Sequence, residues 1–93
     1  MARLGISFSG GPNASEIVEC VKLAESLGYE SAWVAEGHGG DQFAILAACA
    51  TATSRILLGT SITSAFVRSA PTIAMAAAVV DQLSGGRFIL GIG

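Results

Sequence analysis

A chain of 93 residues that is 52% apolar and only 13% charged must bury a core, which excludes a disordered segment. Its formal net charge of −2 leaves no basic patch for nucleic acid. The longest stretch without Asp, Glu, Lys or Arg, Gln42 to Ser54, falls short of the roughly 18–20 apolar residues that cross a bilayer, so no membrane span is expected.

The run Arg3-Leu4-Gly5-Ile6-Ser7-Phe8 reads as a strand, closed by the breakers Ser9-Gly10-Gly11-Pro12. A helix follows, capped by Asn13 or Ser15, with Glu16 favourable in its first turn. Ile17, Val21 and Ala24 share one face, whereas Glu16, Glu19, Lys22 and Glu25 hold the opposite one; Gly28 ends the helix. Ser31 to Ala35 is the second strand, followed by the loop Glu36-Gly37-His38-Gly39-Gly40. Asp41 is a fitting N-cap for an alanine-rich helix reaching about Thr53, one with almost no polar face.

The third strand is Arg55 to Thr60, running on through Ser61 and Ile62. Pro71 then sits in a first helical turn, and the helix Thr72–Leu83 carries no charge before Asp81. Ser84-Gly85-Gly86 closes it, and Arg87 to Ile92 is the fourth strand.

The order is therefore βαβαβαβ, with strand centres near Ile6, Val34, Leu58 and Ile89. Apolar runs without alternation predict strands buried on both faces of a parallel sheet. A doubly wound sheet and half of a (β/α)8 barrel both fit, and the near-even repeat favours the N-terminal half of a TIM barrel. Four strands do not close a barrel. The chain also stops on a strand, which reads as a single incomplete half-barrel domain over residues 1–93.

Ten of the twelve charged residues lie outside Gln42–Val80, where only Arg55 and Arg68 appear. A small domain exposes more charge than this, so that region is expected to be covered by another copy or by more protein. Cys20 and Cys49 read as buried small hydrophobes of a reducing compartment rather than a disulfide. Glu16, Glu19, Lys22 and Glu25 break up the first helix, so no signal peptide is visible and a soluble cytoplasmic protein is expected.

The segment Arg68-Ser69-Ala70-Pro71-Thr72-Ile73-Ala74-Met75, continuing through Asp81-Gln82-Leu83-Ser84-Gly85-Gly86-Arg87-Phe88 to Gly93, resembles the bacterial luciferase-like monooxygenases. Ala24-Glu25-Ser26-Leu27-Gly28-Tyr29-Glu30 through Trp33-Val34-Ala35-Glu36 is similar to the first βαβ unit of that family. The resemblance covers the whole chain but about the first third of a family member. It implies a (β/α)8 barrel holding a flavin, FMN, or the deazaflavin coenzyme F420 at the C-terminal strand ends. The reaction it implies is hydride transfer or monooxygenation of a small molecule, and the assembly a homo-oligomer formed through the early helices. It further implies a bulge with a non-prolyl cis peptide at Ser61-Ile62 under the ring.

Glu36 and His38 follow the C-terminal end of a parallel strand, where barrel chemistry gathers. As catalytic candidates they would move a proton at the cofactor or orient substrate. In the family an acidic residue here is often followed directly by histidine. In this chain Gly37 holds that place and His38 comes one later; the bland alternative is a solvated loop histidine. Gly59, Thr60, Ser61 and Ile62 are the cofactor-binding candidates, through backbone donors, against an ordinary strand end. No metal site is expected. Asp41 is explained by N-capping, Arg68 and Arg87 by structural contacts, and Trp33 by the core. The loop Ser9-Gly10-Gly11-Pro12 lacks the lysine and spacing of a phosphate loop. The competing reading is a non-catalytic half-barrel module that self-assembles.

Overall fold

The computed structural model describes residues 3–36 and 40–93. Along the chain lie β1 (Gly5–Phe8), α1 (Ala14–Ser26), β2 (Ser31–Val34), α2 (Gln42–Ala52), β3 (Leu57–Thr60), α3 (Ala70–Ser84) and β4 (Phe88–Ile89). Each helix begins where a side chain satisfies its unpaired N–H groups. Asn13 accepts from Glu16 N at 3.0 Å while Glu16 accepts from Asn13 N at 2.9 Å, a reciprocal capping box at α1. Asp41 accepts from Ala44 N at 2.8 Å at α2, and Ser69 from Thr72 N at 3.3 Å at α3, with Pro71 in the first turn. Gly28 (φ +85°) and Gly85 (φ +67°) turn the chain out of α1 and α3 in the left-handed region.

The four strands are all parallel and lie in chain order, β1-β2-β3-β4. A doubly wound sheet reverses its strand order; a barrel does not, so this order decides between the two architectures left open by the sequence. Successive right-handed crossovers in one direction put all three helices on one face. α2 packs against both α1 and α3. The core lies between helices and sheet: Val21 and Ala24 of α1, Leu46 and Cys49 of α2, Ile73 and Val80 of α3, over Ala32, Val34 and Leu58. Full burial of a side chain such as Leu46 or Leu58 contributes about 1.5–3 kcal/mol.

Three expectations are corrected here. The strands are buried on one face rather than two: Ala32 and Val34 are covered, whereas Ser31 and Trp33 are half-exposed, and Gly5 and Ser7 are exposed. This second face is the one a barrel turns inward. Cys20 is exposed on α1; only Cys49 is buried, and burial pushes its thiol up to about 11. Glu25 does more than hold the polar face of α1. Its carboxylate accepts from the backbone N–H groups of Ser54, Arg55 and Ile56, fixing the turn into β3.

Among the described residues no helix is long and apolar enough to cross a membrane. The uncharged outer faces are largely uncovered, with Met75, Val79 and Leu83 exposed in a row along α3. Apolar grooves of about 520 and 420 Å³ run along the two sides of α2.

Candidate functional site

The register places residues of one level side by side across the sheet. Ser7, Trp33, Gly59 and Ile89 form one such row on the open face. Gly59 is required there, because a Cβ at this position would run into the Trp33 ring. The indole Nε1 donates to Ser31 Oγ at 2.9 Å, which holds the ring flat across β3. Trp33 is therefore neither deep core nor free surface: it floors the open face.

Beyond the paired strands the ladder continues for one step. Ala35 N donates to Phe8 O at 2.9 Å and Ser61 N to Val34 O at 3.0 Å. By the two-residue alternation of a strand, Ala35 and Ser61 stand above Trp33 and Gly59 on the same face. Gly91 closes against β3 so tightly that a Cβ would strike Thr60 O. The Thr60 hydroxyl binds Gly91 twice at 2.8 Å, donating to its carbonyl and accepting from its N–H. The outcome is a ledge of the small residues Ala35, Ser61 and Gly91 at the C-terminal strand ends, bordered by Ile62. A flat ring system fits such a ledge, and branched side chains at these three positions would fill it.

The rim of this ledge is irregular on the β3 side. Gly59 pairs with Ile89 and Thr63 with Ile92, so β3 spans the interval with one residue more than its neighbour, a bulge. Within it the Ser61–Ile62 peptide bond is cis. The cis bond and bulge implied by the family resemblance are thus both present, at the residues expected.

Of the sequence-derived candidates, Gly59, Thr60, Ser61 and Ile62 come together along this rim. Of the backbone donors expected here, the Ser61 N–H is occupied by Val34 O, and beside it the Thr60 hydroxyl is taken up by Gly91. What they offer is shape. Glu36 stands beside them, just past β2. Arg68 grips it with both arms, Nε to Oε2 at 3.0 Å and Nη2 to Oε1 at 3.0 Å. Thr63 Oγ1 donates to Glu36 Oε2 at 3.2 Å and Ser64 N at 3.4 Å. The Arg68 guanidinium, with these donors, holds the Glu36 carboxyl below its usual range despite partial burial. At neutral pH Glu36 is a fixed anion that accepts hydrogen bonds and has no proton to give. His38 lies outside the described residues.

Arg68 is the hub of the cluster. It also bonds Asp41, the α2 cap, and stacks 5.0 Å above the Phe43 ring. Partial burial pushes the Asp41 carboxyl up, but Arg68 and the Ala44 N–H outweigh it and hold the group low. Its carboxylates push the Arg68 guanidinium still further up, so it stays charged throughout.

Sequence reasoning missed Gln42. It is fully buried at the first position of α2, and its Nε2 donates to Val34 O at 2.8 Å and to Ile62 O at 3.1 Å. Both partners are carbonyls, which fixes the amide orientation and leaves Oε1 without a partner among the described residues. An unpaired buried acceptor costs about 1–3 kcal/mol. The available signal was a lone amide in an otherwise apolar helix.

A parallel sheet wound in one direction in strict chain order defines the opening strands of a (β/α)8 barrel. Residues 2–93 match the luciferase-like monooxygenase family, and the chain belongs to it. A Mycobacterium tuberculosis protein bearing the name coenzyme F420-dependent oxidoreductase is 38% identical over 97% of this chain and 26% of its own length. The structure of the coenzyme F420-dependent tetrahydromethanopterin reductase from Methanopyrus kandleri superposes with a TM-score of 0.90 at 33% identity, over 98% of this chain and 26% of that one. The FMN complex of a type II Baeyer–Villiger monooxygenase from Pseudomonas putida shares the fold, with a TM-score of 0.84 at 21% identity, over 100% of this chain and 30% of that one. The chain spans about a quarter of the length of the first two.

Proposed function

We propose that this chain is the incomplete N-terminal half-barrel domain of an oxidoreductase that binds coenzyme F420 or FMN on the ledge formed by Gly59, Thr60, Ser61 and Ile62. The observation that carries this reading is the β3 bulge at Ser61 and Ile62 beside the flat Trp33–Gly59 floor. The names of the F420-dependent relatives support it. When bound, such a cofactor supplies hydride transfer or, with oxygen, monooxygenation of a small organic substrate.

The chain's own residues then divide the work. The rim of β3 supports one face of the ring, and the glycines keep the ledge clear. Glu36, ionised and clamped by Arg68, gives the rim a fixed negative charge that orients hydrogen-bond donors of ring or substrate. His38, two residues further on, is the group proposed to move a proton, since an imidazole titrates near neutral pH and a clamped carboxylate does not.

The exposed row Met75, Val79 and Leu83 favours self-assembly through the outer faces of α2 and α3 as well. A module that assembles without catalysis would need that row and not the ledge. Titrating the protein with FMN and with F420 tests the reading, because Trp33 is the sole tryptophan and lies under the ledge. Saturable quenching of its fluorescence by one of the two is expected. Quenching by neither, in a sample of known mass, overturns the cofactor site and leaves the assembly module.

A further inference from the structure

We propose that Gln42 is a positioning residue for the cofactor ring: its side-chain amide sets the height and tilt of the β3 rim on which the ring rests. This rests on the cofactor site proposed above.

The argument starts from where the β2/β3 ladder ends. Ser61 N to Val34 O is its last rung, and past that rung β3 bulges, so the carbonyl of Ile62 has no neighbouring strand to meet. Gln42 supplies the missing rung from the helix layer. One Nε2 joins Val34 O, at the end of β2, to Ile62 O, in the bulge. The side chain is completely buried, so water cannot stand in for it. The helix start that carries Gln42 is itself held over both strands, since Asp41 caps α2 while bonding Arg68, which grips Glu36. The sheet holds the rim as far as Ser61, and past that rung a short lever from the helix layer ties Ile62 to β2.

Its neighbours show that burial alone does not explain an amide here. The next residues of α2, Phe43, Ile45 and Leu46, meet the core with hydrocarbon. An apolar side chain at position 42 would leave no Oε1 to satisfy, an atom that has no partner among the described residues. What it could not do is hold the Ile62 carbonyl. A buried amide in an apolar layer that fixes two backbone carbonyls on two different strands serves position rather than core packing.

The test uses the full-length protein with Gln42→Met, which keeps the volume and removes both donors, and Gln42→Glu, whose acid form can donate one bond and whose ionised form none. The readouts are the dissociation constants for FMN and F420, the absorption and fluorescence spectrum of the bound cofactor, and the melting temperature. Gln42→Met is expected to bind the cofactor roughly tenfold more weakly with a shifted spectrum. Gln42→Glu is expected to recover affinity as pH falls through its carboxyl titration, over a range where the wild type is flat. Affinity and spectrum within about twofold of wild type for both variants, whatever their melting temperatures, would overturn the proposal and leave Gln42 a packing residue. Should Gln42→Met fail to fold, Gln42→Glu read across pH decides alone. A wild type that binds neither cofactor overturns this proposal together with the site it rests on, and the wild-type titration by itself distinguishes that outcome.

Discussion

The two ends of the sheet are built from similar residues used in opposite ways. At the N-terminal end, Glu25 and Arg87 spend their hydrogen bonds mainly on backbone. The Glu25 carboxylate accepts from Ser54 N at 3.0 Å, Arg55 N at 2.6 Å and Ile56 N at 2.9 Å. Arg87 donates to the carbonyls of Ala50, Thr53, Ile56 and Ser84 and to the Thr53 hydroxyl, at 2.6–3.0 Å. At the C-terminal end, Arg68 bonds the side chains of Glu36 and Asp41 instead. Backbone groups left over at helix ends and turns must be satisfied in any sequence that folds this way, so the first arrangement is a requirement of the fold. A closed cluster of side chains is not; it sets a local field and a shape. The difference separates an edge that serves stability from the edge that carries the candidate site, the division parallel barrels make.

The largest effect on stability should therefore come from the N-terminal edge. Arg87→Met keeps the packing of the stem and orphans the carbonyls of Ala50, Thr53 and Ile56, at the α2 C-terminus and the start of β3. A loss of about 3 kcal/mol is expected in denaturant unfolding, with cofactor affinity unchanged wherever the protein is folded. If Arg68→Met costs as much stability as Arg87→Met, the contrast between the two edges is wrong.

A sharper version compares the two glutamates. Burial pushes the Glu25 carboxyl up, but the three N–H donors outweigh it, and the net direction is down. Glu36 is also held low, chiefly by Arg68. A carboxyl whose folded value lies below its unfolded value of 4.5 adds stability that is fully present above that value and lost as pH falls through the folded one. Glu25→Gln is expected to remove about 1–2 kcal/mol at neutral pH and to flatten part of the acid limb of a stability–pH curve. Glu36→Gln flattens that limb too, but its stability cost is smaller, about 1 kcal/mol, because Arg68 keeps Asp41. Its main effect falls on cofactor affinity and turnover. Equal loss of affinity from both substitutions would erase the distinction.

Much of this was legible in the sequence because it is local. Asn13, Asp41 and Pro71 announce helix starts, Gly28 and Gly85 their ends, and the apolar runs between them the strands, whereas the Ser69 cap shows only in the structure. The bulge was legible only by family resemblance, since nothing in Ser61-Ile62 as residue types demands it. What escaped is what depends on distant partners. Glu25 looks like one more acid of a charged helix face until the turn at Ser54, 29 residues away, is folded against it. Gln42 reads as an ordinary polar residue in a first turn, because its partners Val34 and Ile62 lie on two different strands. The half-open sheet was hidden for another reason. β1 and β2 read as unbroken apolar runs, although Ser7 and Ser31 on the open face already alternate with the covered Phe8, Ala32 and Val34.

The smallest expected change in stability tests the outer layer, where both edges of the sheet are irrelevant. Ala48 is exposed on α2 in the groove shared with Val18 and Ala44, and Glu19 and Asp41 at its margins are the only charges lining it among the described residues. Ala48→Glu touches no core atom, so the folded protomer should keep its stability to within about 0.5 kcal/mol. An acid placed between Glu19 and Asp41 would nonetheless face another subunit's apolar surface if copies pack there, at a cost no exposed site imposes. The expected outcome is a protein that melts as before but whose mass in solution falls by at least half. Ala50→Glu, at a buried position of the same helix, is the control and should unfold the chain. If Ala48→Glu leaves the mass unchanged, the groove between α1 and α2 is no contact between copies, and the row Met75, Val79 and Leu83 of α3 is left as the surface for assembly.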